Sequence, residues 1–200
     1  QLHHAATVAF LRIRRQNIQQ IAAALRGRGH QCAIGDRIQM AVHQTHHLAL
    51  VALDQRCAGV TEGFAGGTVT ILPTSSDPAE IESKIQAALT SDPTIDLVLG
   101  LSAPQVGERA VAVVEKMGVG ETVKVASYDL SANFLQSIVD GKALFAVDQQ
   151  PYLQGSLPVV FLAQYARYGT MPAGNVASGP SFVTAENAAQ VIALSAEGIR

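Results

Sequence analysis

Three apolar runs in this sequence end in polar side chains, and those ends are where chemistry could sit. Ser102 follows Ile95 to Leu101, Asp129 closes the run that begins at Val123, and Gln149 follows the run that begins at Ala143. An ionised carboxylate accepts hydrogen bonds from adjacent hydroxyls, while an amide both donates and accepts. Asp129 with Gln149 therefore suits a hydroxyl-rich ligand such as a sugar. A plainer reading stays open, in which Asp129 caps a helix at Ser131 and Gln149 satisfies loop backbone. Asp148 alternates with Gln149 and is expected to face the other way.

Other constellations carry less. All six histidines lie in the first fifty residues, and no Gly-x-Ser-x-Gly elbow is present, so no nucleophile and base pair is legible and no enzyme is expected. Gly63, Gly66 and Gly67 lack the spacing of a dinucleotide or phosphate loop and precede a strand rather than follow one. His43, His46 and His47, with His30 and Cys32, have a spacing that permits metal contact on a helix, but exposed histidines in a biased segment explain them without a ligand. Neither a metal nor a cofactor is expected. Cys32 and Cys57 are not expected to pair.

The elements that must position Asp129 and Gln149 are regular. Thr68 to Leu72 reads as a strand. Asp77-Pro78 then opens a helix with Glu80 at capping-box spacing and Ile81, Ile85, Ala88 and Leu89 as its apolar stripe. Ile95 to Leu101 is apolar throughout, as a strand covered on both faces is. The helix carrying Val106, Ala110, Val113, Val114 and Met117 stops at Gly118. Further strands are expected at Val123 to Ser127 and Ala143 to Val147, and a helix at Ser131 to Val139. Pro151 to Tyr168 reads as a helix with Leu153, Leu157, Val160, Phe161 and Tyr165 as its apolar side, Phe182-Val183 as extended, and Thr184 to Ser195 as a helix capped by Thr184. Alternating strands and helices imply an α/β, doubly wound parallel sheet, whose ligands bind beyond the carboxyl ends of the strands.

Charge divides the chain near residue 50. Residues 1–50 hold six arginines, the single acid Asp36 and no lysine, formally +5; the remainder carries eight bases and fifteen acids, formally −7. The first stretch shows no clear strand. Arg12, Arg14 and Arg15 beside Phe10, Leu11, Ile18, Ile21 and Leu25 read as the solvated face of a helix rather than a nucleic-acid or membrane contact. No apolar run reaches 18 residues, and the N-terminus lacks signal-peptide order, so no export address is read in this chain.

The strings Val123-Lys-Val-Ala-Ser-Tyr-Asp-Leu130 and Asp140-Gly-Lys-Ala-Leu-Phe-Ala-Val-Asp-Gln-Gln-Pro-Tyr-Leu-Gln-Gly155 resemble sugar-binding proteins of ABC importers. These form the type I periplasmic binding family, which includes ribose-binding proteins and shares its fold with sensor domains of lactose-repressor-type regulators. The resemblance runs from about Val51 to Arg200 and includes Ala52-Leu-Asp-Gln-Arg-Cys-Ala-Gly59 and Gly179-Pro-Ser-Phe-Val-Thr184.

The resemblance implies two lobes closing over a monosaccharide or related polyol, a membrane permease as partner, a periplasmic location and no nucleic acid. Asp129 matches the sugar-binding acid, Gln149 a hinge-side polar contact, and Arg56 an arginine that reaches hydroxyls; Ser102 stands where relatives place a polar contact, although Leu101 before it is apolar. Residues 51–200 are then mainly the C-terminal lobe. Residues 1–50 read as a remnant of, or replacement for, the N-terminal lobe, as a truncated or frame-disrupted gene would give. A sugar-sensing transcription regulator is the alternative, and it would need a helix-turn-helix that residues 1–50 do not display.

Overall fold

The structure is a computed structural model that describes residues 6–13, 48–64 and 67–200. Six strands form one sheet in the order β2-β1-β3-β4-β5-β6: β1 Ala6–Ile13, β2 Gly67–Thr74, β3 Leu97–Gly100, β4 Lys124–Tyr128, β5 Phe145–Asp148 and β6 Ser181–Thr184. The fold class is α/β, as expected. β3, β4 and β5 pair in parallel, while β1 runs antiparallel to β2 and β3, and β6 antiparallel to β5. Four strands thus share one direction and two, β1 and β6, oppose it, so the sheet is parallel-dominant, as the expected doubly wound parallel sheet implies. β1 corrects the expectation that residues 1–50 hold no clear strand. The eight-residue run, apolar or β-branched at every position but Arg12, is long enough to pair with neighbours on both sides, and Phe10, Leu11 and Arg12 belong to it rather than to a helix.

Helices cover both sheet faces, and the strand alternation decides which residues meet which. Val98, Val125, Ala146 and Val183 pack under α2 Pro78–Ser91, α3 Glu108–Met117, α4 Ala132–Val139 and α6 Ala188–Ala196. Leu97, Leu99, Ala126, Phe145 and Val147 face the other way, where Val60 of α1 Leu48–Gly63 joins them. Phe145 and Phe182 meet edge to face at 5.5 Å between ring centres.

Local chemistry explains most boundaries. Asp77 accepts the Ala79 amide at 2.9 Å, Pro78 occupies the first turn, and Ile81, Ile85 and Leu89 are buried. Glu80 does not complete a reciprocal box. The Asp77 amide goes to Ser75 Oγ at 3.2 Å, while Glu80 takes the Ser75 hydroxyl and pairs with Lys84. Before α3 the chain makes one π-turn, Ala103–Gly107, in which Ser102 O accepts both the Val106 and Gly107 amides. The last helix begins at Ala188 rather than Thr184, because Asn187 Oδ1 takes the Thr184 amide at 2.8 Å and holds a turn there.

Helix α5, Pro151–Tyr168, departs from its expected role. None of its residues is buried; Val160 and Tyr165 of the expected apolar side are exposed, as are Val159 and Leu162. It is an excursion from one point on the sheet, because Asp148 before it and Ser181 after it are register partners across β5 and β6.

Candidate functional site

The parallel core places the ends of β3, β4 and β5 side by side, and side chains from two of those ends converge. Asp129 has a left-handed backbone at φ 65, which aspartate tolerates better than most residues. Its amide donates to Val147 O at 2.9 Å, so the β4–β5 pairing runs one step past the strand and fixes the turn. Ser131, not Asp129, caps α4, accepting the Phe134 amide at 3.3 Å and donating to Glu108 at 2.7 Å. Asp129 is thereby left for other partners.

Those partners come from α1 and β5. Arg56 forks onto Asp129 with two bonds of 3.0 Å and also donates to Leu101 O at 2.5 Å. Its guanidinium carbon lies 5.1 Å from the centre of the Tyr128 ring. Gln149 Nε2 donates to Asp129 Oδ1, so its side chain does not serve loop backbone. Its own carbonyl accepts from Gln154 Nε2 and Ser178 Oγ, each at 2.9 Å. The arrangement brings Arg56, Asp129 and Gln149 together. Asp129 and Gln149 also line an open cleft of about 370 Å³, with Ser131, Gln154 and Arg200 among its other walls, whereas Arg56 and Ser102 do not line it.

Ser102 stands apart from the cluster. It is spent on the π-turn through its carbonyl, and its hydroxyl makes no capping bond. The histidines and Cys32 fall outside the described residues, among which no group of three or more metal-type ligands gathers. Sequence reasoning reads Tyr128 beside Asp129 at a strand end without assigning it to the site, and it misses the Leu101 carbonyl, which no side chain advertises. Burial pushes the Tyr128 hydroxyl upward in pKa, partly countered by Arg56.

Chemically the site is a set of fixed donors and acceptors. A carboxylate has about four lone-pair positions, and protein donors fill three here, leaving room at Asp129 for an incoming hydroxyl. The thiol next to Arg56 in the chain is not poised to react. Cys57, only 5% exposed, is free and is pushed up to about 11 by burial, with the Asp54 charge adding to it. Because burial holds the folded thiol above its ordinary value of about 9.0, it contributes stability that is complete below pH 9 and is lost as pH rises toward 11. Denaturant unfolding at stepped pH should show the wild type losing at most about 2 kcal/mol more than Cys57→Ala across that window, on top of the alkaline loss from the raised Tyr128 hydroxyl that both share.

Residues 13–170 match the model of the periplasmic binding protein domain. The chain belongs to that family. Its matched region crosses the change in charge near residue 50, so the periplasmic binding protein likeness is not confined to the acidic part. A xylose/arabinose-binding protein of Sulfolobus acidocaldarius is 29% identical over 126 residues, covering 60% of this chain and 31% of the relative. A carbohydrate transporter protein of Acidothermus cellulolyticus, solved with myo-inositol, is 33% identical with a TM-score of 0.61 and covers 75% of this chain and 52% of its own. A ribose ABC transporter protein of Conexibacter woesei, 16% identical with a TM-score of 0.51 over 62% of this chain and 42% of its own, shares the fold alone. The chain spans about a third of the first relative and about half of the second. No helix among the described residues is long and apolar enough to cross a membrane.

Proposed function

We propose that this chain binds a monosaccharide or cyclic polyol as one side of the cleft of an ABC importer's receptor, without catalysing a reaction. The observation that carries the reading is the convergence of Arg56, Asp129 and Gln149 at the carboxyl ends of parallel strands, beside an open cleft. The fork from Arg56 orients the carboxylate before any ligand arrives, so less ordering cost falls on binding. Ser102 is the weakest member of the proposed set, because its hydroxyl joins no part of that network.

In a receptor with both lobes, ligand would bridge them and shift the population toward a closed form that a permease recognises, on the outer side of the cytoplasmic membrane. The exposed Val159, Val160, Leu162 and Tyr165 of α5 support this reading, since they offer a second lobe a surface to pack on. Contacts from one lobe alone offset poorly the immobilisation of a strongly hydrated ligand. A dissociation constant weaker than about 1 mM, or about −4 kcal/mol, is therefore expected for these 200 residues.

Amide NMR titrations with myo-inositol, ribose, xylose and arabinose test the proposal. At least one should move the Gln149 side-chain signals saturably, and Asp129→Ala should abolish the response. A folded wild-type chain that shows no saturable shift at Gln149 with any of the four would overturn it.

A further inference from the structure

Asp148 is a carboxylate only 1% exposed at the end of β5, and one guanidinium holds it. Arg200 Nε donates to Asp148 Oδ2 at 2.9 Å, and the same guanidinium donates to Ser181 Oγ at 3.1 Å. Asp148 and Ser181 are the register partners at which the chain leaves the sheet for α5 and rejoins it. A residue beyond α6 thus clasps both strands at the root of that excursion.

The second oxygen of Asp148 reaches toward the candidate site. Oδ1 accepts the Gln150 amide at 2.8 Å, and Gln150 is held at φ 56, a left-handed conformation that a non-glycine residue adopts at a cost. Gln149 lies between these two fixed points, and its side chain donates to Asp129. The direction of Gln149 therefore depends on Asp148 keeping its position. Without Arg200, the Asp148 charge would be buried against neutral donors only, and it would have to admit water or swing outward. Either movement releases the Gln150 amide.

We infer that Arg200 is a positioning residue for the ligand site, acting through Asp148 on the backbone that aims Gln149 at Asp129. Its ligand consequence rests on the proposed sugar-binding function; its effect on the Gln149–Gln150 turn does not. Asparagine at position 148 separates the two roles of the carboxylate, because it keeps an oxygen acceptor for the Gln150 amide and drops the charge that requires Arg200.

Hydrogen exchange of individual amides should be measured without ligand on wild type, Arg200→Ala, Asp148→Asn and the double variant. Arg200→Ala should speed exchange at Gln150 by about tenfold relative to amides of β3 and β4, the equivalent of one lost hydrogen bond. Arg200→Ala/Asp148→Asn should return Gln150 to within a factor of about two of wild type, since no unpaired charge remains. Unchanged Gln150 exchange in Arg200→Ala, an equal acceleration throughout β3 and β4, or no recovery in the double variant would overturn the inference. Sugar-induced shifts at Gln149 should follow the same order. If wild type shows no such shifts while the exchange pattern holds, the proposed function fails and the clasp stands.

Discussion

Replacing Phe134 with alanine should lower unfolding free energy by about 3–5 kcal/mol, the range for removing a fully enclosed aromatic ring. In a domain of this size that corresponds to a fall in Tm of about 10 °C. Phe134 is 0% exposed in the first turn of α4. Its ring lies so close to the π-turn that a Cβ built on Gly107 would stand 3.0 Å from both Cδ2 and Cε2. The same Cβ would be 2.9 Å from Ser127 Oγ, and one on Gly100 would be 3.0 Å from the Gly107 nitrogen.

One wall of the void left by this substitution would be backbone already in close contact at Gly107, which limits how far it can collapse. Because that junction underlies the loops bearing Ser102 and Asp129, the variant should also blur the Gln149 and Asp129 NMR signals before global melting. Urea unfolding followed by circular dichroism measures the first effect. A loss below about 1 kcal/mol would show that the site can close around the missing ring.

The elements nearest the site were legible because local chemistry sets them. Asp77-Pro78 opens α2, Gly118 at φ 68 ends α3, and the four residues of β3 are buried on both faces as their apolar run implies. The neighbouring placement of Asp129 and Gln149 follows from the rule that parallel strands present their carboxyl ends together. What stayed hidden depends on contacts far apart in sequence. Arg56 lies 73 residues from Asp129 and is signalled only by the family resemblance, and Arg200 lies 52 residues from Asp148. β1 was masked by the glutamine and arginine around it, and the reversal of β6 follows from the chain returning from α5 to the end of the sheet it had left. The amphipathic pattern of α5 was read correctly as helix, but periodicity marks a face that can be buried without saying what buries it.

A double-mutant cycle on Arg56 and Asp129 should show that these residues stabilise each other before any ligand arrives. Arg56→Met keeps an apolar stem against Tyr128, and Asp129→Asn keeps a residue that tolerates φ 65, so each change removes charge with little added backbone strain. Each single variant is expected to lose about 1–3 kcal/mol, because the survivor keeps a half-buried polar group short of its partners. The double variant should lose less than the sum, with a coupling of about 1–2 kcal/mol. Side-chain exposures of 17% and 28% keep that figure below the value for a dry pair, since solvent screens part of the attraction. The coupling should shrink in high salt, although the bond to Leu101 O persists wherever Arg56 does. A coupling near zero would mean that Asp129 is oriented by Gln149 and its own turn alone. Arg56→Met would then cost only what the bond to Leu101 O and the contact with Tyr128 supply, and it would cost the same with or without Asp129→Asn.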